Sequence, residues 1–222
     1  MTNRNSSPVS SNQHDVHHEL VSRVRHHASS AYQRPIASHS HAAFELSDAR
    51  VRDHGGPVIL DSGCGTGEST RKLAQSFPCH LVIGIDKSHV RLSRNRDQMR
   101  PENLHIVRAN CIDFWRLACA ARWPIERHYL LYPNPWPKAK HLNRRWHGHP
   151  VFRSLLALGG ILELRSNWEI YVTEFAVALR ALGFDCSGPS DYFPSDAISQ
   201  FERKYRTSGH RLFQLTSCLR AS

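Results

Sequence analysis

The residues best suited to chemistry begin at position 60, with Leu60-Asp61-Ser62-Gly63-Cys64-Gly65-Thr66-Gly67. Glycines at alternate positions let the backbone turn tightly and let a ligand approach without Cβ clashes. A helix opening just beyond such a loop presents N–H groups that have no intrahelical partner. The spacing is Gly-x-Gly-x-Gly, which is neither the Gly-x-Gly-x-x-Gly of a dinucleotide fingerprint nor the Gly-Lys-Ser/Thr ending of a phosphate loop. The remaining ligand class is S-adenosylmethionine, which has no phosphate and needs a close backbone and carboxylates. Asp61 precedes the first glycine and suits an ammonium group. Asp86 closes Gly84-Ile85-Asp86, is followed by Lys87, and is placed to accept hydrogen bonds from both ribose hydroxyls. Asn110, farther along, can reach an adenine edge.

A second cluster reads Tyr132-Pro133-Asn134-Pro135-Trp136-Pro137-Lys138-Ala139-Lys140-His141. Its prolines stiffen the loop, which is expected at the carboxyl end of a sheet, where open α/β sheets bind ligands. Lys138, Lys140, Arg144, Arg145 and Arg153 fall within residues 134–153 without an Asp or Glu among them. Phosphate groups are the natural counterpart of such a stretch. Trp136 is suited either to stacking on a base or to packing. The histidines at 14, 17 and 18, at 26 and 27, and at 39 and 41 occur with neither a Cys pair nor a His-Glu-x-x-His pattern, so no metal site is expected.

Over roughly residues 55–220 the chain resembles the bacterial tRNA (guanine-N7) methyltransferases, which methylate a guanosine in the tRNA variable loop. That family carries an acidic residue before the glycine loop, as Asp61 does here, and one ending the second strand, as Asp86 does. Its Pro-Asp-Pro-Trp loop with a following Lys and Arg-Arg resembles Pro133-Asn134-Pro135-Trp136 with Lys138 and Arg144-Arg145. Its Thr-Asp-Trp-Glu resembles Ser166-Asn167-Trp168-Glu169, and its late Thr-x-x-Glu resembles Ser199-Gln200-Phe201-Glu202. The resemblance implies that Asp61, Gly63, Gly65, Gly67, Asp86, Lys87, Asn110 and Asn134 contact S-adenosylmethionine. It implies that Asn134 has the catalytic, base-orienting place, and that Lys138, Arg144, Asn167, Ser199, Gln200, Phe201 and Glu202 contact tRNA. The departures are Asn110, Asn134 and Asn167, each standing where the family has Asp. All three lose a carboxylate and keep a carbonyl acceptor of similar shape. Two other readings stay open: a methyltransferase acting on another RNA or on an exocyclic amine, the latter because Asn134-Pro135-Trp136-Pro137 is one residue out of register with an Asn-Pro-Pro-aromatic loop, and a non-catalytic paralog that binds cofactor or RNA.

The elements that must position these motifs alternate. Apolar strands are expected at 58–60, 80–85, 103–107, 128–132 and 161–164, with an alternating last strand at 210–219. Helices are expected at 42–51, 66–77, 88–99, 112–121, within 145–158 and at 168–182. This implies an α/β, Rossmann-like fold of the S-adenosylmethionine-dependent methyltransferase kind, with a mostly parallel sheet, helices on both faces and an antiparallel last strand. Residues 1–30 lack apolar periodicity and are expected to be a disordered, His-rich leader, residues 31–54 a helical segment, and 55–222 the methyltransferase domain. The six cysteines include no Cys-x-x-Cys pair and are read as reduced thiols. With no secretory signal and no membrane-spanning run, a cytoplasmic protein is expected, monomeric or homodimeric. The formal net charge is +10. Residues 1–53 contribute six Arg against five acids, so nearly all the excess lies in the folded part and favours a polyanionic partner.

Overall fold

Five apolar segments form the strands that carry the loops, in a computed structural model that describes residues 6–95 and 101–219. Strands β1 (Val58–Ser62), β2 (Leu81–Asp86), β3 (Leu104–Arg108), β4 (Ile125–Leu131) and β5 (Ile161–Ser166) are joined by β6 (Ser187–Asp191) and β7 (Phe213–Cys218) in one sheet, order β3-β2-β1-β4-β5-β7-β6. β1 pairs in parallel with β2 and β4, β2 pairs in parallel with β3, and β6 pairs antiparallel with β7. Every residue of β1 and β2 is buried, as expected of parallel strands covered on both faces.

The helices are α1 (Leu20–Ser29), α2 (Ser38–His54), α3 (Glu68–Ser76), α4 (His89–Leu92), α5 (Cys111–Ala120), α6 (Phe152–Ala157), α7 (Glu169–Ala181) and α8 (Gln200–Thr207). Ser88 caps α4 by accepting the Arg91 N–H at 3.3 Å. The helix itself gives way to a 3₁₀ turn at Ser93–Asn95, and the rest of the expected helix, to residue 99, lies outside the described residues.

The chain divides into two units, and one of the boundaries falls inside β5. The glycine-loop unit comprises Gln33–Leu131, Ser154–Leu162 and Leu219–Ser222. The proline-loop unit comprises Met1–Tyr32, Tyr132–Arg153 and Glu163–Cys218. The expected disordered leader is therefore corrected from Ser6 onward. Leu20 and Val24, one turn apart on α1, are 0% and 2% exposed, and Gln13 is buried. Leu20, Val21, Val24 and Ala28 are spaced for one helix face, a pattern that the Ser, Arg and His residues among them obscured.

Two other elements were not anticipated. β6 reads Ser-Gly-Pro-Ser-Asp and has no strand-forming residues; it stands at the sheet edge, where a proline is tolerated. α8 is announced only by its cap, because Ser199 accepts the Glu202 N–H at 3.2 Å in the Ser-x-x-Glu pattern of a capping box. The last strand is antiparallel as expected, but it lies inside the sheet between β5 and β6. All six cysteines are free, and among the described residues no helix is long and apolar enough to cross a membrane.

Candidate active site

In the glycine-loop unit, Gly63, Gly65 and Gly67 all take positive φ (80°, 61° and 76°), the left-handed region that glycine enters without strain. The Gly63 and Cys64 N–H groups donate to the Ile85 carbonyl at 2.7 and 3.0 Å, and Gly65 N–H donates to Asp86 Oδ2 at 3.0 Å. The loop after β1 is thereby tied to the end of β2. Asp86 is 2% exposed; its Oδ1 accepts Ser88 N–H at 2.7 Å and pairs with Arg91 at 3.0 Å. After β3, the Cys111 thiol is pushed up to about 12 by burial and by the charge of Asp86.

Asp61 is held from the helix side. Its Oδ2 accepts Ser69 Oγ at 2.6 Å and Thr70 Oγ1 at 2.7 Å, both from the first turns of α3. That approach depends on Gly84, since a Cβ there would sit 2.5 Å from Thr70 Oγ1. Burial raises the Asp61 carboxyl to about 6 against the two donated hydrogen bonds, and the Asp86 charge adds to the rise. Beneath the loop, Ser62 accepts Trp115 Nε1–H at 2.9 Å and lies 2.8 Å from His128 Nε2. Burial lowers His128 to about 3, so the ring is neutral.

Lys87 is exposed, and Asn110 caps α5 by accepting the Ile112 N–H at 3.0 Å. Asp would cap equally well, so Asn keeps this role. Sequence reasoning missed Arg91, Ser69 and Thr70. The last two were legible as hydroxyl residues directly following the glycine loop.

In the proline-loop unit, two aromatic residues adopt left-handed backbone: Tyr132 (φ 53°) and Trp136 (φ 46°). Such a conformation costs roughly 1–2 kcal/mol per residue and concentrates at functional sites. Tyr132 is held by its hydroxyl, which donates to Glu202 Oε2 at 2.8 Å, and by its N–H on the Arg165 carbonyl at 2.8 Å. Asn134 is exposed and closes an Asx turn, its Oδ1 accepting Trp136 N–H at 3.2 Å, a contact that Asp would also make. Trp136 packs within the loop, with the Arg144 guanidinium 4.6 Å from its ring centroid and His141 against it edge-on.

Lys138, Lys140 and Arg144 are exposed. Arg145, part of the same basic run in the sequence, is fully buried: it pairs with Glu174, donates to Gln13 Oε1 at 3.0 Å and to the Trp136 carbonyl, and lies over the Trp168 ring at 4.9 Å. It shapes the loop and has no face for a phosphate. His147 Nε2 reaches Glu174 Oε2 at 2.9 Å, and the Glu174 carboxyl is held at about 2; its burial is outweighed by the hydrogen bond and charge of His147, by Arg145 and by the His17 N–H.

The late motif is also placed. Glu202 is fully buried, accepting from Tyr132, Arg165 at 3.0 Å and Ile198 N–H at 3.1 Å, so it braces the loop. Ser199 is the cap of α8, and Gln200 and Phe201 stand exposed on its first turn. Asn167 Nδ2 lies 3.1 Å from His210 Nδ1, and His210 Nε2 lies 2.9 Å from the Ser6 carbonyl. The Asn167 amide offers this pairing both a donor and an acceptor, whereas a carboxylate offers acceptors alone. Phe193, 88% exposed in the segment after β6, was not singled out from sequence and carries no signal there beyond its type. Among the described residues, one group of three metal-ligand types gathers, His17, His18 and Glu19, and Arg23 holds the Glu19 carboxylate at 2.8 Å.

The family described as "Putative methyltransferase" matches residues 55–215. The chain is 28% identical over 170 residues to the tRNA (guanine-N(7)-)-methyltransferase of Leifsonia xyli subsp. xyli, covering 72% of this chain and 74% of that one. It is 28% identical over 181 residues to the enzyme of the same name from Alcanivorax borkumensis, covering 77% and 75%. Among solved structures, the aminoglycoside resistance methyltransferase NpmB1 shares the fold at a TM-score of 0.55 and 17% identity, covering 86% of this chain and 96% of that one. The 16S rRNA methyltransferase KamB does so at 0.54 and 18%, covering 83% and 94%.

Proposed function

The chain belongs to the methyltransferase family whose model matches residues 55–215, and on that premise we propose that it transfers a methyl group from S-adenosylmethionine to N7 of a variable-loop guanosine in tRNA. The observation that carries the cofactor half is the tie between the glycine loop and Asp86. A Cβ built on Gly63 or Gly65 meets nothing within 4 Å, so the loop presents bare backbone to open space, as a closely bound ligand requires. Asp61 would face the ammonium, Asp86 the ribose hydroxyls, and Lys87 and Asn110 the adenine end. The bound group supplies an electrophilic methyl on a sulfonium.

Guanine N7 carries a lone pair and no proton, so no residue must act as a base. What this chain contributes is positioning, which can lower a barrier by roughly 7–11 kcal/mol. That chemistry accommodates Asn134, because an Asx-turn amide still presents a fixed polar edge. The names of the relatives support the tRNA reading, as do the exposed Lys138, Lys140 and Arg144 in a stretch free of acids.

The test is incubation with unmodified tRNA and labelled cofactor, followed by nucleoside digestion. Label in 7-methylguanosine is the expected result, and Asn134→Asp is expected to keep or raise it. Label confined to an N-methylated exocyclic amine, or none at all with cofactor still bound, would overturn the reading.

Asp61 gives this reading a pH signature. Its proton is held up to about 6 in the free protein, while an ammonium favours the carboxylate. Binding therefore releases a proton below about pH 6. Cofactor affinity should be highest near pH 7 and fall as the pH drops through 6. Titration calorimetry in buffers of different ionisation enthalpy measures the released proton. Asp61→Asn should bind more weakly and without that dependence. An unaltered protein with a flat profile from pH 5 to 8 would remove Asp61 from the ammonium.

A further inference from the structure

The segment before α1 runs along the residues that the proposed function assigns to RNA. The Ser6 carbonyl meets His210, which meets Asn167, and Ser6 N–H donates to Ser208 Oγ at 2.8 Å. Ser11 Oγ donates to the Pro137 carbonyl, and Asn12 Oδ1 accepts the Ala139 N–H at 3.2 Å. Gln13 is anchored on Glu174 at 2.6 Å and on Arg145, and His17 N–H reaches Glu174 at 2.9 Å. This is a strap that bonds the basic loop on both sides of Lys138. Between strap and loop lies an open cavity of about 520 Å³, lined by Ser10, Ser11, Asn12, Lys138 and Lys140.

We propose that the strap is part of the RNA-binding surface, and that this cavity takes a backbone phosphate of the RNA. The proposal rests on the tRNA reading above. Two ammonium groups with a hydroxyl and an amide form a donor set suited to a phosphate oxygen cluster, and the lining contains no carboxylate to oppose it. With Asn12 Oδ1 occupied by Ala139, the amide presents its NH₂ to a ligand. The same bonds fix the backbone at Pro137 and Ala139, so Lys138 is held between two tethered residues and less of its freedom is lost on binding. The polar, serine-rich character that made this segment look unstructured is what a phosphate-facing strap needs.

The test compares Ser11→Ala/Asn12→Ala, which removes two tethers and the Asn12 amide donor but no charge, with Lys140→Ala, which removes one charge and no tether. The double variant is expected to bind unmodified tRNA about fivefold more weakly, with an unchanged slope of log affinity against log salt and faster amide exchange at Ala139. Lys140→Ala is expected to flatten that slope by roughly 0.7–0.9, one phosphate contact. Cofactor affinity should be unchanged in both, since neither change touches the glycine-loop unit. The proposal is overturned if the double variant binds tRNA as the parent does, or if Lys140→Ala leaves the slope unaltered. A parent whose RNA binding depends on the strap but which places no methyl on tRNA guanosine sinks the functional reading and leaves the strap standing. A parent that binds no RNA overturns both.

Discussion

Glu174→Ala is expected to destabilise the proline-loop unit by about 3–5 kcal/mol, the usual cost of leaving a buried charge without its partner. Arg145 and His147 are as fully buried as Glu174, and the carboxylate also receives Gln13 and the His17 N–H. Removing it strands a guanidinium in the interior and releases the strap at two points. Chemical denaturation gives the loss, and hydrogen exchange should place it first at the strap and the 136–145 loop. Glu174→Gln, which keeps the shape and some hydrogen bonds, should cost less.

The pH dependence has a definite sign. The folded carboxyl titrates near 2, below its unfolded value of 4.5. Its contribution is therefore complete above about pH 4.5 and lost as pH falls toward 2, and at roughly 1.4 kcal/mol per unit it amounts to about 3 kcal/mol. The alanine variant should lack this acid-sensitive component. A variant with the parent's unfolding midpoint would show that the cluster is not what holds the strap.

Asp86→Ala is expected to weaken S-adenosylmethionine binding by well over tenfold. Charge-assisted hydrogen bonds contribute roughly 1.5–3 kcal/mol, and two to a ribose would be lost together. The structure adds a second loss, because the same carboxylate fixes Gly65 N–H and Ser88 N–H, so its removal also loosens the glycine loop. Asp86→Asn separates the two effects, since an amide oxygen can keep one of these tethers but lacks the charge. Calorimetric titration is the measurement, and an Asp86→Ala protein with the parent's affinity would take this residue out of the site. The Arg91 contact adds a further expectation: Arg91→Ala should change affinity far less than Asp86→Ala, because Arg91 reaches Asp86 from a partly exposed position.

Much of the cofactor half was legible because its information is local. Alternate glycines, a carboxylate at each strand end and fully apolar strands are properties of short segments, and the loop geometry follows from which residues tolerate positive φ. The order of those segments was also enough to indicate a mostly parallel sheet. The other half depends on long-range pairing. Arg145 and Arg144 are adjacent and chemically alike, yet one is buried against Glu174, 29 positions away, and the other lies exposed over Trp136. Glu202 reads as a substrate contact until Tyr132 and Arg165 are found on it. β6 lacks strand-forming residues and pairs because β7 supplies its hydrogen bonds. Short-range pattern was enough to indicate the fold class and to locate the glycine loop with the two carboxylates beside it. Which charges stay open to a ligand and which are consumed internally could not be read locally, because burial and pairing are set by residues distant in the chain.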